Sequence, residues 1–419
     1  MSYLARTVDA ELDALGGAPA VSIEGARGVG KTETAQRRAR TVHRLDDPGQ
    51  LEVLSGEPRR VVEGNPPVLI DEWQRLPVSW DLVRRAVDDD PLPGRFLLTG
   101  SATPSEAPTH TGAGRIIALQ MRPLSIAERQ IAHPSVSLAE LLAASPAALR
   151  GNTRIGVEQY AEEIVMSGFP GMRRHSDRVR RGLLDGYIDQ ILSHDVHQFG
   201  HTFRDHGSLR RWMTAYGAAV STAASFEKIR DAASAGEADK PARSTTIPYR
   251  SALEGLRMIE EVPAWLPTRN RLRRLGTASV HQLADPALAA RLLGVDVDTL
   301  LGGSGTWSGD GTLLGALFES LVTLSVRVYA QACEARVHHL RTQGGEHEVD
   351  LIVERADGAV VALEVKLSAV IGDDDVRHLR WLADQIGPQL LDAVVISTGS
   401  DAYRRPDGIG VIPAALLGP

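Results

Sequence analysis

The sequence predicts an α/β protein of three segments, and three observations support that prediction. Short apolar runs alternate with helix-compatible stretches over the first 150 residues, which indicates a parallel sheet covered by helices. From about residue 151 the pattern becomes helical. Near the end, a long apolar helix precedes four strand-like runs. We therefore expect domains at 1–150, 151–275 and 276–419.

The composition is that of an ordinary globular protein. Of the 419 residues, 43% are hydrophobic and 24% are charged, which excludes a wholly disordered or collagen-like chain. Cys333 is the only cysteine, which excludes an intrachain disulfide and a thiolate metal cluster. The N-terminus has no apolar signal core, and no apolar run approaches the roughly 20 residues that span a bilayer. We expect a cytoplasmic protein without membrane contact.

The first segment is predicted to alternate strands and helices in chain order. A strand is predicted at 19–24 and a helix at 32–42. Two further buried strands are predicted at 66–72 and 94–101, with an amphipathic helix at 82–87 between them. Strands joined in this way run parallel, so their carboxyl ends meet at one edge of the sheet.

A glycine-rich loop, GARGVGKT at 25–32, separates the first strand from the first helix. It fits the motif G-x-x-x-x-G-K-[ST] at every fixed position, in the strand–loop–helix context that the motif needs. Its backbone N–H groups are expected to face phosphate oxygens at a helix N-terminus. Lys31 would reach the β- and γ-phosphates of ATP, and Thr32 would give a hydroxyl to Mg²⁺. The predicted nucleotide contacts are Gly25, Ala26, Arg27, Gly28, Val29, Gly30, Lys31 and Thr32.

The second and third buried strands also end in polar side chains. Asp71 is expected to hold Mg²⁺ through water, and Glu72 to orient or deprotonate the water that attacks ATP. Either Thr99 or Ser101 would sense the γ-phosphate, or would simply cap its strand. Arg115 is a candidate arginine finger or sensor of transition-state charge, and a surface arginine is the alternative.

Together these residues resemble prokaryotic AAA-type ATPases that carry a C-terminal domain of unknown function. The resemblance lies in YLAR (3–6), GARGVGKT (25–32), LIDEWQRLP (69–77), GRFLLTGSA (94–102), SGFP (167–170) and ADPALAARLLG (284–294). It implies an AAA-type P-loop fold and Mg²⁺-dependent ATP hydrolysis. The chain departs from that family at Trp73, where a smaller aliphatic residue is usual, and in a polar loop at 235–244.

The middle segment is predicted to end in a winged helix-turn-helix. Helices are predicted at 158–166, 179–196, 209–220, 225–234 and 246–259, before a strand-like run at 261–266 and the basic stretch NRLRR at 270–274. This segment is basic, whereas the last segment is acidic, so the middle is the expected contact for DNA or RNA phosphates. Salt bridges between domains are the alternative, because glutamates share the same stretch.

The last segment carries a second set of chemically useful residues. Asp350 lies on one predicted strand, and Glu364 and Lys366 project to the same face of the next. With Glu319 on the preceding helix, the carboxylates would bind Mg²⁺ or Mn²⁺, while Lys366 positions or activates water for attack on a phosphodiester. The pattern resembles the PD-(D/E)XK nuclease superfamily and implies its restriction-endonuclease-like fold. A surface ion-pair network is the alternative.

Three hypotheses for the purpose of ATP hydrolysis remain open at this point. ATP could gate an active nuclease. It could switch a nucleic-acid-binding or regulatory module whose nuclease-like domain is inactive. Finally, the acidic last domain could dock a protein partner or another copy of the chain, with ATP as the switch.

Overall fold

The computed structural model describes residues 3–101, 113–143, 148–199, 206–234, 243–266, 276–302 and 313–419. Its first part alternates strands and helices as predicted. The elements are α1 (Thr7–Ala14), β1 (Ala20–Glu24), α2 (Lys31–Gln36), β2 (Thr41–Arg44), α3 (Pro48–Gly56), β3 (Val68–Asp71), α4 (Val78–Asp89), β4 (Phe96–Gly100) and β5 (Ile116–Gln120).

These strands form a five-stranded parallel sheet in the order β2-β3-β4-β1-β5. The predicted parallel sheet is thereby confirmed. Glu24 at the end of β1 is in register with Gly100 at the end of β4. The loop after β1, the acidic pair at the end of β3 and the hydroxyls at the end of β4 consequently share one edge of the sheet.

The predicted helix at 32–42 is wrong in its second half. Helix α2 ends at Gln36, and Thr41–Arg44 form the edge strand β2. The β-branched residues Thr41 and Val42 pair with Val68 and Leu69 of β3. Such side chains fit a pleated surface well, and the ladder overrides the helical tendency of the preceding arginines.

The middle part is helical, as the sequence predicts. After a short strand β6 and helix α5, it contains the remaining helices up to residue 302. The bounds are β6 (Val136–Ser137), α5 (Leu138–Leu141), α6 (Val157–Met166), α7 (Asp177–Ser193), α8 (His206–Ala218), α9 (Phe226–Ala233), α10 (Arg243–Gly255), α11 (Pro286–Leu292) and α12 (Val297–Gly302).

The winged-helix assignment stays a prediction. After α10, single antiparallel bridges join Ile259 to Leu283 and Val262 to Val280. The next residue pair, Ala264 and His339, connects this stretch to the last domain instead. The basic stretch at 270–274 and most of the polar loop at 235–244 lie outside the described residues.

The last part places a long helix before a mixed sheet of six strands in the order β11-β12-β10-β9-β8-β7. Strands β7, β8 and β9 are antiparallel neighbours, and β9, β10 and β12 are parallel neighbours. The bounds are α13 (Leu313–Ala332), β7 (Arg336–Arg341), β8 (Glu348–Glu354), β9 (Val360–Val365), α14 (Arg377–Ile386), β10 (Leu390–Ser397), β11 (Tyr403–Arg404), β12 (Gly410–Pro413) and β13 (Leu417–Gly418). The nuclease-like fold of this domain stays a prediction.

Helix α13 corrects the expectation that no apolar run is long enough for a membrane. By length and composition it could cross one, but 78% of its apolar window is buried inside the protein. It packs against α1, α6 and α11. These contacts and this burial are those of a core helix.

One hydrophobic core runs through all three segments, from Val8 in α1 to Leu417 in β13. Strand β13 pairs with β6, which follows the five-stranded parallel sheet in the chain. Helices α11 and α12 pack on α6, and α11 also packs on α8. The predicted domain boundary at 275 remains a proposal, and this packing favours a boundary after residue 302.

Candidate functional site

The glycine-rich loop, residues 25–32, lies between β1 and α2. Gly25 has no room for a side chain, because a Cβ there would lie 2.0 Å from the carbonyl oxygen of Met121. Gly28 and Gly30 adopt left-handed φ angles of 82° and 105°. Glycine reaches this region without steric cost, so these two positions let the backbone turn into α2.

Lys31 lies inside the loop and is 5% exposed. Its ammonium donates hydrogen bonds to the carbonyl oxygens of Gly25 at 2.8 Å and Ala26 at 2.9 Å. Burial lowers the pKa of Lys31 to about 8, although the carboxylates of Glu72 and Asp71 act in the opposite direction. The ammonium therefore lies where the negative charge of phosphate oxygens would stabilise its protonated form.

Asp71 and Thr32 form a pair of oxygen donors beside the loop. Thr32 Oγ1 donates to Asp71 Oδ1 at 2.8 Å, and Thr99 Oγ1 donates to the same oxygen. Hydroxyl and carboxylate oxygens are the ligands that Mg²⁺ prefers, usually with water completing the shell. The donor set at this point thus fits a magnesium ion held together with ATP phosphates.

Thr99 and Ser101, which the sequence could not separate, have different surroundings. Thr99 is fully buried, and its hydroxyl also accepts the backbone N–H of Glu72 at 3.2 Å. Ser101 is half-buried, and its hydroxyl donates to Glu72 Oε2 at 3.1 Å. Thr99 therefore orders the acidic pair, and Ser101 is the residue that contacts the candidate catalytic carboxylate.

Glu72 has a left-handed backbone, with φ of 57°. This conformation is uncommon for a residue with a side chain, and such residues cluster at functional sites. Besides Ser101, the side-chain amide of Gln74 donates to Glu72 Oε2 at 2.5 Å. Gln74 was not among the residues predicted from the sequence, because it fills no fixed position of a motif.

Arg115 does not belong to the site of its own chain. It precedes Ile116, which pairs with Ala20 at the start of β1, whereas the loop follows Glu24 at the other end. Its guanidinium donates to Asp88 at 2.8 Å and is about half exposed. Sensing of transition-state charge within one chain is therefore a wrong prediction. A finger that serves a neighbouring copy stays a prediction.

A pocket of about 450 Å³ adjoins the loop and the first turn of α2. The residues around it come from the chain start, from the loop and α2, and from the SGFP stretch. They include Tyr3, Arg6, Gly30, Thr34, Pro170 and Arg174. Arg6 supports the loop here, because it donates to the carbonyl oxygen of Val29 at 2.8 Å. Only the resemblance drew attention to YLAR and SGFP, and local motif chemistry gave no signal for either.

The middle segment contacts the phosphate-binding loop directly. The Tyr187 hydroxyl donates to the carbonyl oxygen of Arg27 at 2.9 Å, and the Arg27 guanidinium lies 3.4 Å from Asp195. Arg257 pairs with Glu24, the residue immediately before the loop. A change in the conformation of the loop would therefore alter its contacts with α7 and with the segment after α10.

The second predicted set lies at the end of β9. Lys366 donates to Glu364 Oε1 at 2.7 Å, and Asp350 Oδ2 accepts the backbone N–H of Val365 at 2.7 Å. Glu364 is 4% exposed, and its Oε2 is a buried oxygen without a hydrogen-bond partner among the described residues. The structure thus brings Asp350, Glu364 and Lys366 together, as the sequence predicts.

Glu319 faces the same group of charges from α13. Burial raises the pKa of Glu319 well above its usual value, and the negative charges of Asp350, Glu348 and Glu364 add to this effect. Burial likewise raises the pKa of Glu364 to about 8, with Asp350 contributing and Lys366 opposing. Within the described ranges, no group of three His, Cys, Asp or Glu residues is arranged to hold a metal ion. The structure therefore does not support Glu319, Asp350 and Glu364 as three ligands of one metal ion.

Comparison with known proteins agrees with the loop geometry. Residues 17–130 match the family described as "AAA domain". Residues 17–130 are thus similar to AAA-type P-loop domains. In the remainder of the chain, residues 157–299 and 314–417 match two families described as domains of unknown function, DUF8612 and DUF4143.

Two curated relatives and two solved structures are similar to this protein. Uncharacterized proteins of Mycobacterium bovis and Mycobacterium tuberculosis are each 23% identical over 410 residues, which covers 96% of this chain and 81% of the relative. A Walker-type ATPase of Pyrococcus abyssi is 15% identical with a TM-score of 0.38, covering 68% of this chain and 94% of that chain. The ORC2 protein of Aeropyrum pernix, in ADPNP and ADP complexes, is 14% identical with a TM-score of 0.25, covering 69% of this chain and 89% of that chain.

Proposed function

We propose that the protein binds ATP with Mg²⁺ and hydrolyses it in the cytoplasm. The observation that carries this proposal is the meeting of four side chains at one edge of the sheet. Lys31 lies inside the loop, Thr32 and Asp71 share a hydrogen bond of 2.8 Å, and Glu72 follows directly. These side chains provide the phosphate-binding, metal-binding and water-activating groups that phosphoryl transfer requires.

The reaction follows from the roles of these residues. Lys31 and the loop amides hold the β- and γ-phosphates, and Thr32 and Asp71 would hold the metal. Glu72 takes a proton from water while the water oxygen bonds to the γ-phosphorus. The bond to the bridging oxygen then breaks, and its electron pair stays on ADP. When bound, Mg²⁺ neutralises charge that develops on the phosphate oxygens.

We place the adenosine part of ATP in the 450 Å³ pocket beside α2. Tyr3 offers an aromatic ring at this pocket, and Pro170 closes it from the middle segment. A bound nucleotide would then contact both the start of the chain and the SGFP stretch. Tyr3→Ala should weaken ATP and ADP binding equally, because this part of the molecule is common to both.

ATPase assays with three variants test the proposal. Lys31→Ala should lose ATP binding, whereas Glu72→Gln should keep binding and lose turnover by more than about 100-fold. Glu52→Gln is the matched control, because Glu52 is an exposed residue of α3 in the same domain. Turnover that is equal in wild type and Glu72→Gln would remove Glu72 from the reaction.

We further propose that the nucleotide state is transmitted to the last domain through α13. Glu260 lies between Arg122, which follows β5, and Arg327 of α13, with Glu260 Oε2 3.0 Å from Arg122 Nε. Burial opposes the ionisation of Glu260, but the two guanidinium charges lower its pKa to about 2. Gln331 adds hydrogen bonds to Arg122 and to the end of β5. The ATPase sheet and the helix that carries Glu319 are therefore connected by charged contacts.

A second candidate function is phosphodiester cleavage by the last domain, on DNA or RNA, with Mg²⁺ or Mn²⁺. It is supported by the buried, unpartnered Glu364 Oε2 (no partner among the described residues) beside Asp350 and Lys366. A metal held by one or two carboxylates and water would satisfy that oxygen. Lys366 would position the attacking water.

Incubation with single- and double-stranded DNA and RNA tests this second function. We expect cleavage that Glu364→Gln abolishes, that Lys31→Ala alters, and that the exposed control Glu346→Gln retains. Absence of cleavage on every substrate would favour a binding platform instead. Nucleic-acid binding would then weaken steeply with salt, whereas salt-independent capture of a protein or of a second copy would favour protein docking.

A further inference from the structure

The strongest unassigned feature of the nucleotide site is the side chain of Gln74. It lies two residues after Glu72, in the turn between β3 and α4. Its amide nitrogen donates to Glu72 Oε2 at 2.5 Å and lies 3.4 Å from the hydroxyl oxygen of Ser101. Glu72 Oε2 thus receives two hydrogen bonds, one from Gln74 and one from Ser101 at 3.1 Å.

The amide oxygen of Gln74, in contrast to its nitrogen, lacks a hydrogen-bond partner among the described residues. This oxygen, Oε1, is buried. It lies close to the backbone of Gly100, where an added Cβ would be 3.1 Å from this oxygen. A buried acceptor without a partner costs about 1–3 kcal/mol, so it is expected to meet a donor in the working state of the protein.

We infer that Gln74 is a positioning residue for the water that attacks ATP, a conclusion that rests on the proposed ATP hydrolysis. Its amide nitrogen fixes the Glu72 carboxylate through Oε2, which leaves Oε1 of Glu72 to accept one hydrogen of the water. Gln74 Oε1 accepts the other hydrogen. With both hydrogens held, an oxygen lone pair of the water is directed at the γ-phosphorus.

The test compares Gln74→Met and Gln74→Glu with Gln50→Met in steady-state ATPase assays. Methionine keeps the length of the side chain without hydrogen bonding, and glutamate keeps an acceptor oxygen but loses the amide donor. We expect both Gln74 variants to lose about 10- to 100-fold in kcat, the size typical of supporting residues, with KM changed less than about twofold. Gln50→Met should behave as wild type, because Gln50 bonds the Arg44 backbone at an exposed site.

Affinities for ADP and for ADP with aluminium fluoride give a second readout that does not require turnover. Gln74→Met should bind ADP normally, which shows that it is folded, and should lose the preference for ADP with aluminium fluoride over ADP. Unchanged kcat, or an unchanged preference in both variants, overturns the role of Gln74 and leaves the ATPase proposal standing. A wild-type protein with neither turnover nor such a preference overturns both.

Discussion

Arg257 Nη2 lies 2.6 Å from Glu24 Oε2, which joins the middle segment to the last residue of β1. Glu24 immediately precedes the phosphate-binding loop, and its carbonyl oxygen accepts the N–H of Met121 at 2.7 Å. Arg257 follows α10 and has a left-handed φ of 57°. Glu24, the residue before the loop, is thus bonded both by Met121, which follows β5, and by Arg257 of the middle segment.

Removal of the contact between Arg257 and Glu24 should weaken the effect of ATP on the middle segment more than it weakens ATP binding. Arg257→Met is expected to reduce the ATP-dependent protection from hydrogen exchange at 243–266, while ATP affinity falls by less than about fivefold, since a half-exposed pair contributes about 1 kcal/mol or less. Arg250→Met is the control, because Arg250 pairs with Glu254 and Glu261 inside the middle segment. Equal protection by ATP in wild type and Arg257→Met would contradict the role of this pair.

ATP affinity should fall as the pH rises above 8. The pKa of Lys31 is about 8 in the free protein, and phosphate charges in the complex raise it, so binding takes up a proton once Lys31 is deprotonated. Below pH 8 that proton is already present, and affinity is constant. Between pH 8 and pH 9 we expect about a fivefold loss of affinity in calorimetric titrations. A flat profile in wild type between pH 8 and pH 9 would show that Lys31 does not titrate in this range.

Gly25→Ala should prevent the loop from closing around phosphate. The added methyl group would lie 2.0 Å from the carbonyl oxygen of Met121, and a backbone atom cannot yield as a flexible side chain can. We expect loss of ATP binding by more than about 100-fold, measured by fluorescence of a labelled nucleotide, together with a lower unfolding midpoint. Gly17→Ala is the matched control, because no atom lies within 4 Å of an added Cβ there. Tight ATP binding by Gly25→Ala would require a different loop conformation.

Arg129 is expected to be essential for stability without touching the nucleotide. Its side chain is fully buried, donates to the carbonyl oxygens of Leu124 and Glu163, and lies 3.1 Å from the Glu163 carboxylate. Arg129→Met would leave the carboxylates of Glu163 and Asp285 buried without this charge, which costs about 3 kcal/mol or more in urea unfolding. Arg115→Met should leave the urea midpoint close to that of wild type, because its pair with Asp88 is exposed. Similar losses in the two variants would contradict the buried role of Arg129.

The sequence predicted the parts of the site that lie within one strand and its following loop. Lys31 and Thr32 begin α2 after the loop that follows β1, Asp71 ends β3, and Glu72 comes next, so motif spacing and parallel pairing are sufficient to bring them together. Arg115 could not be placed in this way, because its distance from the loop depends on which end of β5 it occupies. The different roles of Thr99 and Ser101 likewise could not be assigned, because they depend on which of the two hydroxyls packs against Asp71.

Contacts between remote residues were beyond sequence reasoning for a physical reason. Glu24 and Arg257 are 233 residues apart, and Arg122 and Glu260 are 138 apart. No local periodicity encodes which charged residue meets which after three segments have packed. Gln74 escaped prediction for another reason, since it fills no fixed position of the motif although it hydrogen-bonds Glu72 and Ser101.

The hydrophobic core that runs from Val8 to Leu417 has a consequence for how this protein melts. Domains with separate cores denature in separate calorimetric peaks, each with its own midpoint. Here the strand pair of Leu417 with Val136 and the packing of α13 on α1 mean that no segment can lose its structure without exposing apolar surface on the others. The three segments should therefore denature in a single endotherm, and a ligand that binds to the ATPase domain should shift the entire endotherm to higher temperature.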